Sequence, residues 1–183
     1  MKKFETKKQL AEYIWDYYKL PILSVAFVLI IGISILTSIL SQPKYDYTVA
    51  LVSTRPYGQN ALDSIAGYLS EYGSDCNGDG IINIEMICYD MVQADSAMLT
   101  TSTAQFLADY QMHRSSLYLM ESGTEAFVLS EGSFLPTQKS AEIRDTTYTL
   151  VFRDSPSGSY AAGKDTQSAW QESLALWNAL PER

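Results

Sequence analysis

The chain has 183 residues, a formal net charge of −8, 46% hydrophobic residues, two cysteines and one histidine. Residues 41–183 carry eight Lys and Arg against eighteen Asp and Glu, a balance of −10 that repels nucleic acid and anionic headgroups and excludes a phosphate-tracking role. A lone histidine and the absence of any CxxC pair exclude a conventional zinc site.

A helix needs about 20 apolar residues to cross roughly 30 Å of hydrocarbon with its backbone hydrogen bonds closed internally. The run Pro21–Leu40, PILSVAFVLIIGISILTSIL, contains no charge and meets that length. Lys2, Lys3, Lys7, Lys8 and Lys19 precede it against Glu5, Glu12 and Asp16, a balance of +2 that keeps the amino terminus cytoplasmic. Tyr13, Trp15, Tyr17 and Tyr18 on one side and Tyr45 and Tyr47 on the other suit the two interfaces. The run is too long for a cleaved leader, and Ser38-Ile-Leu-Ser41 is a poor cleavage site. These features predict a cytoplasmic segment over 1–20, an uncleaved transmembrane signal anchor over 21–41 and an extracytoplasmic domain over 42–183. Leu10, Ile14 and Tyr17 recur at helical spacing, either as a separate surface helix or as a continuation of the membrane helix.

In the outer part, Asp46–Ser53 reads as a first strand. A helix follows, with Asn60 as its cap, Leu62, Ile65, Leu69 and Tyr72 as its stripe and Gly73 as a left-handed terminus. Ile81–Tyr89 is the second strand. Ala94–Met112 is the second helix, with Leu99, Thr103, Phe106, Leu107 and Tyr110 on one face. Leu117–Met120 is a short third strand, after which Ser122 and Glu125 form an S-x-x-E capping box for a third helix. Gly132–Ile143 is less regular, Thr146–Arg153 is a fourth strand, and Ser155–Lys164 is a loop. Thr166 caps a last helix in which Trp170, Leu174 and Trp177 share a stripe, with Pro181 beyond its end. This alternation predicts an α/β fold, an N-terminal transmembrane helix followed by a small, mostly parallel sheet flanked by helices, with right-handed crossovers. Cys76 precedes the second strand and Cys88 ends it, so two unpaired, partly buried thiols are expected.

Asp75-Cys-Asn77-Gly-Asp79-Gly80-Ile81 matches the opening of the D-x-[DN]-x-[DN]-G calcium loop. Asp75, Asn77 and Asp79 would ligate through side-chain oxygens and Ile81 through its carbonyl, with Asn83 at the ninth position. Met86 stands where a bidentate glutamate closes the full loop, and Glu85 is displaced by one residue. The competing reading is a plain turn built from Asp, Asn and Gly. Any bound Ca2+ would be structural, since the loop precedes a strand.

The stretches YIWDYYKLPI, YTVALVS and DCNGDGIINIEMI resemble a loosely defined, largely uncharacterised family of small single-pass membrane proteins of Gram-positive bacteria. The resemblance covers roughly residues 10–120. It implies an outer α/β domain like half of a periplasmic binding protein, and it carries over no catalytic residue.

Ligands of open parallel sheets sit beyond the carboxyl ends of the strands. Those ends are Ser53, Thr54, Arg55 and Tyr57, then Asp90, then Glu121 and Ser122, then Arg153 and Asp154. Arg55 and Arg153 could hold a carboxylate and Tyr57 could stack on a ligand; exposed strand ends are also naturally polar. His113, the only histidine, follows the second helix at the amino end of the third strand, away from the strand ends that carry Ser53 and Ser122. Asp154-Ser-Pro-Ser157-Gly-Ser159 misses the D-x-S-x-S metal pattern by one residue and reads as a turn. No GxSxG, Walker or GxGxxG motif is present. A non-catalytic binding domain for a small ligand or a membrane-proximal protein is therefore expected. The alternatives are a structural subunit of an envelope complex, with Trp170 and Trp177 at its contacts, and a hydrolase acting through Ser53 or Ser122.

Overall fold

The computed structural model describes residues 7–40, 44–91, 96–156 and 166–182. The chain forms two compact units, Met1–Pro43 and Lys44–Arg183. The described residues of the first form one helix, α1 (Lys7–Leu40), which runs unbroken through Pro21. Within it Lys19–Thr37 is long and apolar enough to cross a membrane, as membrane anchors and signal sequences both are, with mean hydropathy 2.6. Its hydroxyls turn back on the helix: Ser24 Oγ donates to the Leu20 carbonyl and Thr37 Oγ1 to that of Ile33, both at 2.9 Å. These two hydroxyls then need no partner from a lipid environment.

The second unit runs β1 (Tyr47–Ser53), α2 (Gln59–Ser70), β2 (Ile84–Asp90), α3 (Ser96–Gln111), β3 (Leu117–Glu121), α4 (Glu125–Glu131), β4 (Lys139–Ile143), β5 (Thr146–Phe152) and α5 (Thr166–Ala179). Its sheet has the order β2-β1-β3-β5-β4. β1 lies parallel to both β2 and β3, while β5 is antiparallel to β3 and to β4. The sheet is therefore mixed, and the expectation of a mostly parallel one is corrected. The cause lies in the segment that looked irregular. After α4 the chain enters the sheet as β4, in the same direction as β3 but one place away. A two-residue turn at Arg144 and Asp145, with φ of 48° and 59°, then sends β5 back into the gap.

β1 is buried along its whole length, as a central strand covered on both faces must be. Tyr47, Val49 and Leu51 point into a core closed by Ile65 and Leu69 of α2 and by Leu176, Trp177 and Leu180 at α5. Ala50 and Val52 point to the other side, where Phe106 of α3 and Val128 of α4 pack. Phe106 is the hub there, its ring 5.3 Å from Tyr89, 6.0 Å from Tyr118 and 5.2 Å from Phe127. The chain steps outward from β1 to β2 and then back across β1 to β3. Crossovers of one hand consequently place α2 and α3 on opposite faces.

Several local details differ from the sequence reading. Gly58 precedes α2, and Asn60 lies inside it. Gly73 is not left-handed; a Cβ there would stand 3.0 Å from the Tyr47 ring and 3.1 Å from Ile82, so close packing against these side chains favours the glycine. The left-handed residue at a helix end is His113, φ 53°, after α3. Ser122 and Glu125 form no capping box: Glu125 Oε2 accepts the Gly123 N–H, and Thr124 precedes α4. β2 begins at Ile84, leaving Ile81 exposed. Ala94, Ser157, Ser159 and most of the Ser155–Lys164 loop lie outside the described residues, as does any cap made by the Thr166 side chain.

Candidate functional site

The loop after β1 leads to α2 on one face and the turn after β3 leads to α4 on the other. Between neighbouring strands whose connections diverge in this way a crevice opens, the usual ligand position of open α/β sheets. Glu121, the last residue of β3, bridges its floor. One carboxylate oxygen accepts the Thr54 N–H at 3.1 Å and the Thr54 hydroxyl at 3.3 Å. The other takes the Arg55 Nε at 2.9 Å and the Tyr57 hydroxyl at 3.2 Å. The Glu121 side chain is only 12% exposed, whereas that of Arg55 is 58% exposed.

Tyr57 also meets the hydroxyl of Tyr148 at 2.9 Å. Its single proton goes to Glu121, so Tyr148 must be the donor in that pair. Burial, with the Tyr57 hydroxyl next, pushes the Tyr148 phenol above its ordinary pKa and keeps it protonated for this task. Tyr148 reaches the site because β5 is reversed, which sets it directly opposite Glu121 in the β3–β5 register. Thr146 arrives by the same route and accepts a hydrogen bond from Arg55 Nη2 at 3.4 Å. Around these groups lies a cleft of about 330 Å³ whose walls include Arg55, Tyr57, Ala61, Ile143, Arg144 and Tyr148. A second cavity of about 360 Å³ opens on the other face of the sheet beside Thr54, Leu99 and Phe127.

Of the strand-end residues expected from sequence, Ser53, Thr54, Arg55, Tyr57, Asp90 and Glu121 gather at this edge. Ser122 is exposed there and stands outside the network. Ser53 is fully buried; its hydroxyl donates to the Arg55 carbonyl at 2.7 Å and lies 3.4 Å from Asp90 Oδ1. Cys88 donates its thiol proton to the same carboxylate at 3.1 Å, and burial, then that contact, pushes its pKa up to about 12. It stands as a thiol, not a nucleophilic thiolate. Both cysteines are free.

Arg153 and Asp154 are not part of this edge, which corrects the sequence expectation. With β5 antiparallel, its carboxyl end falls beside the amino end of β3, where the Arg153 N–H bonds the Ser116 carbonyl at 3.0 Å. The Arg153 guanidinium lies 3.8 Å over the Tyr110 ring and donates to the Tyr110 carbonyl at 2.6 Å, closing the end of α3. His113 is 3.4 Å away; burial, then the Arg153 charge, lowers its pKa.

The Asp75–Ile81 loop is closed by its own side chains. Asp75 accepts the Gly78 and Gly80 N–H groups at 2.6 and 2.7 Å, Asn77 that of Asp79 and Asp79 that of Ile81. The Gly80 N–H is the main cause holding the Asp75 carboxyl below its usual range. Buried Asp46 clasps the loop to β1 by accepting the N–H groups of Cys76, Asn77 and Asn83 at 2.8, 3.0 and 2.8 Å. Among the described residues no three His, Cys, Asp or Glu side chains are grouped to hold a metal ion.

Sequence reasoning missed Tyr148, Thr146, Arg144 and Cys88 as members of the edge. The available signal was Arg144-Asp145 between KSAEI and TTYTLVF, two alternating runs joined by two residues, although neither residue is the Gly or Asn that usually marks such a turn. Compared with protein-family models, curated proteins and solved structures, the chain finds no match.

Proposed function

We propose that the chain is a single-pass, membrane-anchored domain that binds a small ligand or a membrane-proximal protein in the crevice beyond β1 and β3. The N-terminal lysines favour a cytoplasmic amino terminus and hence an extracytoplasmic domain. The observation that carries the binding reading is the cleft itself, whose Arg55, Tyr57 and Tyr148 are joined in one bonded network with Glu121 at the end of β3. A structural subunit would instead need an exposed aromatic face on α5. Trp177 is 3% exposed and stacks on Phe152 at 5.9 Å, and Trp170 lies 5.6 Å from the same ring. A hydrolase has Asp90 beside Ser53 in its favour, but no substrate carbonyl reaches a serine with no exposed surface. The kinship with half of a periplasmic binding protein is a proposal of the same standing, consistent with a ligand at this edge.

The test is photo-crosslinking of the full chain in its own membrane, with a small alkyl-diazirine side chain, which leaves the cleft open, placed at Ala61 in the cleft or at exposed Gln171 on α5. A discrete adduct at position 61 and none at 171 is expected. The opposite pattern would sink the cleft reading and favour the subunit.

Structural Ca2+ at Asp75, Asn77, Asp79 and the Ile81 carbonyl is a separate proposal, supported by the donor pattern and by left-handed Gly78 and Gly80. Residues 44–183, which contain both cores, should melt at a higher temperature in millimolar calcium. An equal shift in an Asp75→Ala, Asp79→Ala variant would rule it out.

A further inference from the structure

Resting on the cleft reading above, we infer that the ligand is a small organic carboxylate with an apolar body, held between Arg55 and Arg144. Of the eight Lys and Arg of the domain, three are used to hold the fold. Lys139 and Arg153 close the ends of α5 and α3, and Arg114 pairs with Glu85 and Asp109. Arg55 and Arg144 are both exposed and both line the 330 Å³ cleft, whose lining contains no carboxylate; Arg55 is paired with Glu121 outside that lining, and Arg144 makes no ion pair among the described residues. In a domain with a balance of −10, two guanidinium groups at one concave surface, offset by the single Glu121 carboxylate that pairs with Arg55, leave a net positive charge there.

Their bonding leaves donors for a ligand. Arg55 is anchored through Nε to Glu121 and through Nη2 to Tyr57 and Thr146, which orients the fork while Nη1 remains available. Arg144 makes one long bond, from Nη1 to the Asn60 carbonyl at 3.4 Å. Planar guanidinium forks match carboxylates in two-point geometry. Local backbone chemistry does not explain Arg144, because at φ 48° in a two-residue turn Gly or Asn would be less strained. Between the two cations the cleft wall is mixed, with Ala61 and Pro56 and the edges of Ile65, Ile143, Tyr57 and Tyr148 supplying its apolar part. A carboxylate on a small aromatic or aliphatic body meets both parts. The sequence had pointed to Arg55 with Arg153; the reversed strand removes Arg153 and supplies Arg144.

The experiment uses the full chain in lipid nanodiscs, with empty nanodiscs as the blank, and fluorine NMR of para-fluorobenzoate, para-fluorobenzamide and para-fluorobenzylamine. The carboxylate line should broaden and the amide and amine lines should not. Arg144→Gly should weaken carboxylate binding by about tenfold, the loss of one charge-assisted contact. Its melting temperature should be equal or higher, since the strained φ is relieved. Ala61→Trp, which fills the cleft, should abolish the broadening. Amide binding as strong as carboxylate, with both lost in Ala61→Trp, would overturn the anion inference and leave the cleft a binding site. Broadening unchanged in both variants, or absent with all three probes, would overturn the inference, while the crosslink at Ala61 judges the cleft independently.

Discussion

Lys139→Met is expected to destabilise the α/β domain by about 3 kcal/mol, roughly 10 °C in melting temperature for a domain of this size. Lys139 is 5% exposed, an unusual state for an ammonium group. Its Nζ donates to the carbonyls of Trp177 at 2.7 Å and Leu180 at 2.5 Å, and it lies 5.0 Å from the Trp177 ring centre. These carbonyls lie at the carboxyl end of α5, where backbone acceptors lack intrahelical partners and the helix dipole favours a cation. Methionine fills the space but donates nothing, so two carbonyls near the core lose their partner. Thermal unfolding followed by circular dichroism measures the loss, and a red shift of tryptophan emission should accompany it. A change below about 0.5 kcal/mol, ordinary for a surface site, would show that α5 is not pinned by Lys139.

How much of this was legible in the sequence depended on the kind of signal. β1, β2 and β3 were readable because buried central strands are apolar runs of Val, Ile, Leu and Tyr, and α3 because its stripe is helical. β4 was not, since KSAEI carries a lysine and a glutamate. Its lysine is buried only because α5 supplies the acceptors, a tertiary fact that no local pattern encodes. Missing β4 made Thr146–Phe152 look like a fourth parallel strand, and that single error moved Arg153 and Asp154 to the wrong end of the sheet. Thr54, Arg55, Tyr57 and Glu121 could be located at one edge of the sheet because that position depends only on β1 and β3 being parallel. Gly73 shows a different limit. A glycine after a helix suggests a left-handed cap, while the actual constraint is the Tyr47 ring, 26 residues away in sequence.

Glu121→Ala is the second large expected effect, also about 3 kcal/mol. The carboxylate accepts from the Thr54 backbone, the Thr54 hydroxyl, the Tyr57 hydroxyl and Arg55, and alanine leaves the Thr54 N–H and Tyr57 facing a void. Arg55, already exposed, returns to water at small cost, so the loss comes from the partly buried Thr54 and Tyr57 donors. The account turns on the reversal of β5, which alone sets Tyr148 opposite Glu121 and joins it to the network through Tyr57. A double-mutant cycle between Glu121→Ala and Tyr148→Phe in urea unfolding tests that directly. A coupling of about 0.5–1.5 kcal/mol is predicted, as for residues in one hydrogen-bond network, whereas strict additivity would contradict the reversed strand and the cleft built on it.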